Sequence, residues 1–268
     1  MKYDCVFVVL VYRNTNDLLN FFSCQTIPNS KVIVVNSYFD EKSEKSFSEI
    51  ALKYNADFIS VPNKGYGAGN NRGIEYALSH YDFEYLIVSN ADICIKQMDI
   101  STLYKYPVGI YAPSIVTLTG KPQNPHMPYH FSIIDKYKYC FYKCKSWNAI
   151  IAFCGLNKIF RYIFYLSNKI FGCNKIYTAH GAFVIIPKNI LELMLPLYDE
   201  NVFLFTEEEN LGMNALTRQI STYYVPQIKI LHKEDGSVSS ISEQQNSITR
   251  DSFMTFYEKW YLNSNEND

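Results

Sequence analysis

The sequence predicts an α/β protein with a Rossmann-like, mostly parallel sheet and helices on both faces. Three observations predict it. Short apolar runs alternate with helix-period stretches over roughly the first 90 of the 268 residues. The runs are apolar at successive positions rather than at alternate ones, as in strands buried on both faces. Polar or glycine-rich segments collect at the carboxyl end of each run, where ligands sit in such sheets.

Cys5 to Val11 is the first run, bounded by Asp4 and by Tyr12-Arg13-Asn14. Asp17 to Cys24 reads as a short helix through Leu18, Leu19, Phe21 and Phe22. Val32 to Val35 is a second strand ending at Asn36-Ser37, and Ser43 to Tyr54 a second helix. Phe58 to Val61 leads into Asn63-Lys64-Gly65-Tyr66-Gly67-Ala68-Gly69-Asn70-Asn71-Arg72-Gly73. This reads as strand, glycine loop and helix start, with the helix proper over Asn70 to His80. Alternating glycines permit positive φ and close backbone approach, and a helix N-terminus suits a phosphate. The stretch is neither a dinucleotide fingerprint, since Arg72 occupies the third glycine position, nor a P-loop. Tyr85 to Val88 is the fourth strand and runs into Ser89-Asn90-Ala91-Asp92.

Beyond Asp92 the alternation weakens. Gly109 to Thr117 reads as a strand, and Gly120 to Pro128, with three prolines, as a loop. No acidic residue occurs between Lys136 and Leu191, and segment 136–175 interleaves lysines with aromatics. Such composition fits contact with an anionic membrane or nucleic acid, or a pair of core helices with a solvated basic face. Thr178 to Pro187 returns to strand pattern, and Lys188 to Leu195 is a short helix stopped by Pro196. Val202 to Phe205 reads as a strand delivering Glu207, Glu208 and Glu209, with Thr206 and Glu209 spaced as a capping box. Tyr223 to Leu231 is a strand interrupted by Pro226 that ends at His232. A polar loop over Gly236 to Ser240, an aromatic helix over Phe253 to Leu262 and a frayed tail complete the chain. The expected division is an alternating strand–helix half over 1–100, a second half over 101–241 that includes the basic aromatic segment 136–175, and a C-terminal helix and tail over 242–268.

Apolar residues make up 48%, which fits a folded chain with a large core. The net charge of −1 gives no overall bias toward nucleic acid. Seven cysteines show no zinc pattern, and Cys140 and Cys144 are expected to be reduced thiols. No signal-peptide layout and no membrane-length apolar run is present, so the expected location is cytoplasmic, with peripheral attachment to the inner face of the plasma membrane through segment 136–175.

Asp92 with His232 combines a carboxylate and an imidazole, a donor pair suited to manganese or magnesium with a diphosphate supplying further oxygens. Glu207 and Glu208 are neighbouring carboxylates that raise each other's pKa, a property useful for general-base work. The glycine stretch, Asn90-Ala91-Asp92, Gly181-Ala182-Phe183, Phe203 to Glu208 and His232 followed by Gly236 and Ser237 occur in this order. Together they resemble family 2 glycosyltransferases of the GT-A fold, especially bacterial rhamnosyltransferase-like enzymes of surface polysaccharide synthesis. The resemblance implies a nucleotide-sugar donor, dTDP-rhamnose-like or a UDP-sugar, an inverting transfer and a saccharide acceptor, lipid-linked in the expected setting. It implies Glu208 as catalytic base, and Asn36, Gly65, Gly67, Arg72, Asn90 and Asp92 as donor-binding residues. It also implies Gly181 and Glu207 at the acceptor, and Mn2+ or Mg2+ on Asp92 and His232. Asn90 stands where the family's motif has its first acid. Two other classes stay open: a sugar-phosphate nucleotidyltransferase, and a non-catalytic nucleotide- or membrane-binding module.

Overall fold

The structure, a computed structural model, describes residues 2–25, 27–234 and 245–263. One nine-stranded sheet carries the chain, in the order β3-β2-β1-β4-β8-β6-β9-β5 with β7 beside β9. The strands are β1 (Lys2–Val11), β2 (Ser30–Ser37), β3 (Asp57–Val61), β4 (Asp82–Asn90), β5 (Ile93–Gln97), β6 (Ile110–Thr117), β7 (Lys175–Ile176), β8 (Phe183–Pro187) and β9 (Thr222–His232). β1, β2, β3 and β4 are mutually parallel, and β6 and β9 share their direction. β8, β5 and β7 run the other way.

The helices are α1 (Thr15–Cys24), α2 (Glu41–Lys53), α3 (Tyr66–His80), α4 (Ser132–Lys143), α5 (Trp147–Phe171), α6 (Lys188–Leu193), α7 (Glu207–Thr217) and α8 (Gln245–Tyr257). Because side chains alternate across a strand, β1 feeds two cores. Phe7, Val9 and Val11 pack with Leu18 and Phe21 of α1 and Phe47 and Ala51 of α2. Val6 and Val8 pack with Ile74 and Ala77 of α3 and Leu211 and Ala215 of α7 on the opposite face. A third cluster, Tyr142, Met213, Phe253, Phe256 and Tyr257, ties α4, α7 and α8 together. The parallel sheet with helices on both faces is therefore as the sequence predicts.

Several elements differ from expectation. β9 runs unbroken past Pro226, because the pairing with β6 shifts register there: Pro113 lies opposite Val225, and Ser114 opposite Lys229. A bulge absorbs the residue that has no N–H to give. The expected strand over Thr178 to Pro187 begins only at Phe183. Val202 to Phe205 is a loop rather than a strand: Val202 is buried but Phe203 is exposed. Segment 136–175 forms most of two helices, α4 and α5. Cys140 and Cys144 are free, while Cys24 and Cys94 form a disulfide between the end of α1 and β5. The Gly236 to Ser240 loop lies outside the described residues.

Candidate active site

A cleft of about 670 Å³ opens at the carboxyl edge of the sheet. That is the size of a pocket for a ligand of nucleotide-sugar dimensions. β1 ends there at Tyr12, β4 at Asn90 and β9 at His232. β8 runs antiparallel, with Phe183 opposite Ser89, so the residues before it, His180 to Ala182, arrive at the same edge. The loop after β6 contributes Gln123 and His126, and the entry to α7 contributes Phe205 to Glu209.

Of the sequence-predicted residues, Asn90, Asp92, Gly181, Glu207, Glu208 and His232 line this cleft together. Asn36, Gly65, Gly67 and Arg72 are not among its lining residues. The glycine stretch is not a loop. α3 starts at Tyr66, and the Tyr66 N–H donates to the Phe203 carbonyl at 2.9 Å rather than facing the cleft. The glycines serve packing. Gly65 has φ 109°, and a Cβ there would lie 2.2 Å from the Phe203 carbonyl oxygen. A Cβ on Gly67 would lie 2.8 Å from Tyr198 Cβ, and one on Gly73 2.4 Å from Val8 Cγ1. Arg72 pairs with Glu75 at 2.8 Å and with Glu200. Asn36 is buried and donates from Nδ2 to Ser60 Oγ at 3.0 Å. These four positions make packing and polar contacts within the fold.

The acidic segment enters α7 through two consecutive left-handed residues, Phe205 (φ 68°) and Thr206 (φ 70°). Non-glycine residues there cost on the order of 1 kcal/mol or more each. The expected capping box does not form: Thr206 Oγ1 makes no capping bond and has no hydrogen-bond partner among the described residues. The turn points Glu208 at Gly181, whose N–H donates to Glu208 Oε1 at 3.0 Å. Thr178 Oγ1 donates to the Glu208 carbonyl at 2.7 Å, and Tyr66 donates from its hydroxyl to the Gly181 carbonyl at 2.8 Å. Burial pushes the Glu208 carboxyl up, but the His126 ring and the Gly181 N–H work against it, and the carboxyl lies below its ordinary value. Glu207 is buried beside that charge, with Oε1 unpartnered, and both burial and Glu208 drive its carboxyl well above the ordinary range. The pair thus splits into an ionised Glu208 that stays part-open to the cleft and a protonated Glu207. Glu209 turns to Lys138 of α4, 3.5 Å away.

Sequence reasoning missed His126 and His180. Glu208 and these two rings offer ligand atoms all within 4.8 Å of one another. His180 Nδ1 accepts from the Ala182 N–H at 3.1 Å, and the His180 backbone N–H donates to Asn124 Oδ1 at 2.8 Å. Burial is the main reason its imidazole falls to a pKa of about 3, so it stays neutral. The one signal was its place directly before Gly181.

At the other wall, Asp92 Oδ1 lies 3.2 Å from His232 Nε2. Gln123 Nε2 donates to Glu234 Oε1 at 2.8 Å, which turns Gln123 Oε1 toward His232 Nδ1 at 2.7 Å. Nδ1 therefore carries a proton, and Nε2 faces the Asp92 carboxylate. A carboxylate and an imidazole nitrogen side by side offer a donor pair for a cation. Adjacent ligands of an octahedral ion, each about 2.1 Å from it, stand about 3 Å apart. The donor set and spacing fit Mn2+ or Mg2+.

No family model matches the sequence. Over 129 residues, 45% of this chain, it is 31% identical to a curated low-salt glycan biosynthesis hexosyltransferase of Haloferax volcanii. The match covers 39% of that relative, so the chain spans well under two thirds of its length. The crystal structure of GalNAc-T7 with UDP, GalNAc and Mn2+ resembles the fold with a TM-score of 0.57 at 10% identity, over 86% of this chain and 44% of that one. That likeness shows the shared GT-A fold.

Proposed function

We propose that the protein is an inverting glycosyltransferase that moves a sugar from a nucleotide-sugar donor to a saccharide acceptor. The observation that carries this reading is the placement of Glu208: a carboxylate held by the Gly181 N–H on the wall of a cleft of about 670 Å³, whose opposite wall sets Asp92 against His232. The hexosyltransferase relative and the UDP- and Mn2+-bound GT-A neighbour support it from outside the chain.

In the proposed reaction an acceptor hydroxyl loses its proton to Glu208 as its oxygen bonds to the anomeric carbon. The bond from that carbon to the donor diphosphate breaks on the opposite face, and its electron pair leaves with the diphosphate. Asp92 and His232 would hold a divalent ion, which would supply charge neutralisation for that leaving group. Asn90 flanks the donor diphosphate beside Asp92. Gly181 orients Glu208 through its N–H, and neutral Glu207 offers the acceptor a hydrogen bond without competing for the proton. The donors of choice are dTDP-rhamnose-like sugars and UDP-hexoses, and the acceptor a lipid-linked saccharide of bacterial surface polysaccharide synthesis.

The test is a panel of radiolabelled nucleotide-sugars with saccharide acceptors, run with Mn2+, Mg2+ or chelator, and the anomeric configuration of product read by NMR. Transfer with inversion, lost in chelator and in Asp92→Ala, supports the reading. Retention of configuration, or full activity in chelator, removes the mechanism or the metal respectively.

A further inference from the structure

The α5 helix has two opposed faces, and only one is used by the fold. Asn157, Arg161, Phe164 and Tyr165 lie on the inner face. Phe164 is fully buried against Tyr224, Asn157 Nδ2 donates to the His126 carbonyl at 3.0 Å, and Arg161 and Tyr165 donate to the carbonyls of Pro122 and Asn124. On the outer face stand Ile151, Ile159, Tyr162, Ile163, Leu166 and Ile170, all exposed, Ile170 by 66%. At about 100° per residue these six fall within an arc of roughly 120°. Gly155, also exposed, leaves the stripe unbroken between Ile151 and Ile159.

Lys158 and Lys169 border this stripe on the same helix, and Lys136, Lys143, Lys145 and Lys175 are exposed on the adjoining segments. Among the described residues none of these six lysines forms an ion pair, and no acidic residue occurs from 136 to 191. We propose that this outer face of α5 is a docking surface for an anionic lipid bilayer, with the apolar stripe entering the headgroup boundary and the lysines meeting the headgroups. No described helix is long and apolar enough to cross a membrane, so α5 lies along the surface. Charge decides against a second copy of the chain as occupant. A two-fold interface sets the same patch against itself, lysines facing lysines, with no carboxylate to balance them. A layer of anionic headgroups supplies that balance. The proposal does not depend on the reading of the cleft.

The test is co-flotation of the full chain with vesicles of phosphatidylcholine alone or mixed with phosphatidylglycerol, at low and high salt. Wild type should float with the anionic vesicles at low salt and largely stay behind with neutral vesicles or at high salt. Ile159→Glu with Leu166→Glu should abolish flotation, and Lys158→Glu with Lys169→Glu should reduce it several-fold. Both doubles should keep the circular dichroism and melting midpoint of wild type, because the altered side chains are exposed. Three results overturn the proposal: wild type that stays behind at low salt, an Ile159/Leu166 double variant that floats like wild type, or sedimentation showing a wild-type dimer that the same variant makes monomeric.

Discussion

At Glu208 the His126 ring and the Gly181 N–H oppose the effect of burial on the carboxyl. If Glu208 is the base, Glu208→Gln should lower turnover by roughly 10²–10⁴-fold and leave donor affinity unchanged, because the amide oxygen can still accept from Gly181. Glu207 is neutral, so Glu207→Gln replaces an acid with its near-isostere and should retain stability and most of the turnover. Initial rates and donor titrations on the two variants check both statements. A dead Glu207→Gln beside an active Glu208→Gln would move the base by one residue. Gly73 makes a packing prediction. A Cβ there meets Val8 Cγ1 at 2.4 Å and Val35 Cγ2 at 2.7 Å, so Gly73→Ala should cost about 1–3 kcal/mol in denaturant unfolding. Removing methyls from both blockers, with Val8→Ala and Val35→Ala, should recover part of the contact strain in a mutant cycle.

Element by element, what could be read from the sequence depended on the range of the forces involved. β1 to β4 and the helices between them are local statements: continuous apolar runs, 3.6-residue patterns and turns, each readable in a short window. The acidic cluster and the strand ends at Asp92 and His232 were readable for the same reason. The alternating glycines read as a loop but open α3, because the same residue suits a loop and a close helix-to-sheet contact. Only the positions of Val8, Val35 and Tyr198, distant in sequence, decide which. Val202 to Phe205 looked like a strand, but the chain turns there through the left-handed residues Phe205 and Thr206 into α7. His126 and His180 meet Glu208 across three separate segments, a juxtaposition no local pattern encodes. The Cys24–Cys94 bond was hidden likewise, since its ends are 70 residues apart. In the chain-entropy account closing such a loop contributes about 4 kcal/mol. Cys24→Ser should lower unfolding free energy by about 2–4 kcal/mol, and reductant should produce a comparable drop in wild type and none in the variant.

Across the whole molecule, the region just past α8 is tied back to the loop before α7 by charge as well as by packing. Lys259, just past α8, reaches Asp199 at 2.8 Å, and Asp199 is buried. Burial pushes its carboxyl up, but Lys259 and Asn201 outweigh that and hold it below its ordinary 3.8. The folded state therefore binds this proton less tightly than the unfolded one. The pair's stabilisation is complete above pH about 4 and disappears as pH falls through the lowered value. Asp199→Asn should flatten that part of the stability curve in urea melts taken from pH 5 downward, while lowering stability at pH 7.

The disulfide also makes the molecule a covalent ring with two tails. Between Cys24 and Cys94 lie β2, α2, β3, α3 and β4, nearly all of the parallel half. The exposed turn at Tyr38 and Phe39, between β2 and α2, is the natural place for a protease to cut inside it. A single scission there opens the ring into a line without releasing a fragment. On a denaturing gel the nicked protein should run at full mass until reductant is added, and then fall into two pieces. A nick outside residues 24–94 should release its fragment with or without reductant, so one gel run in both conditions reports the crosslink and maps the cut.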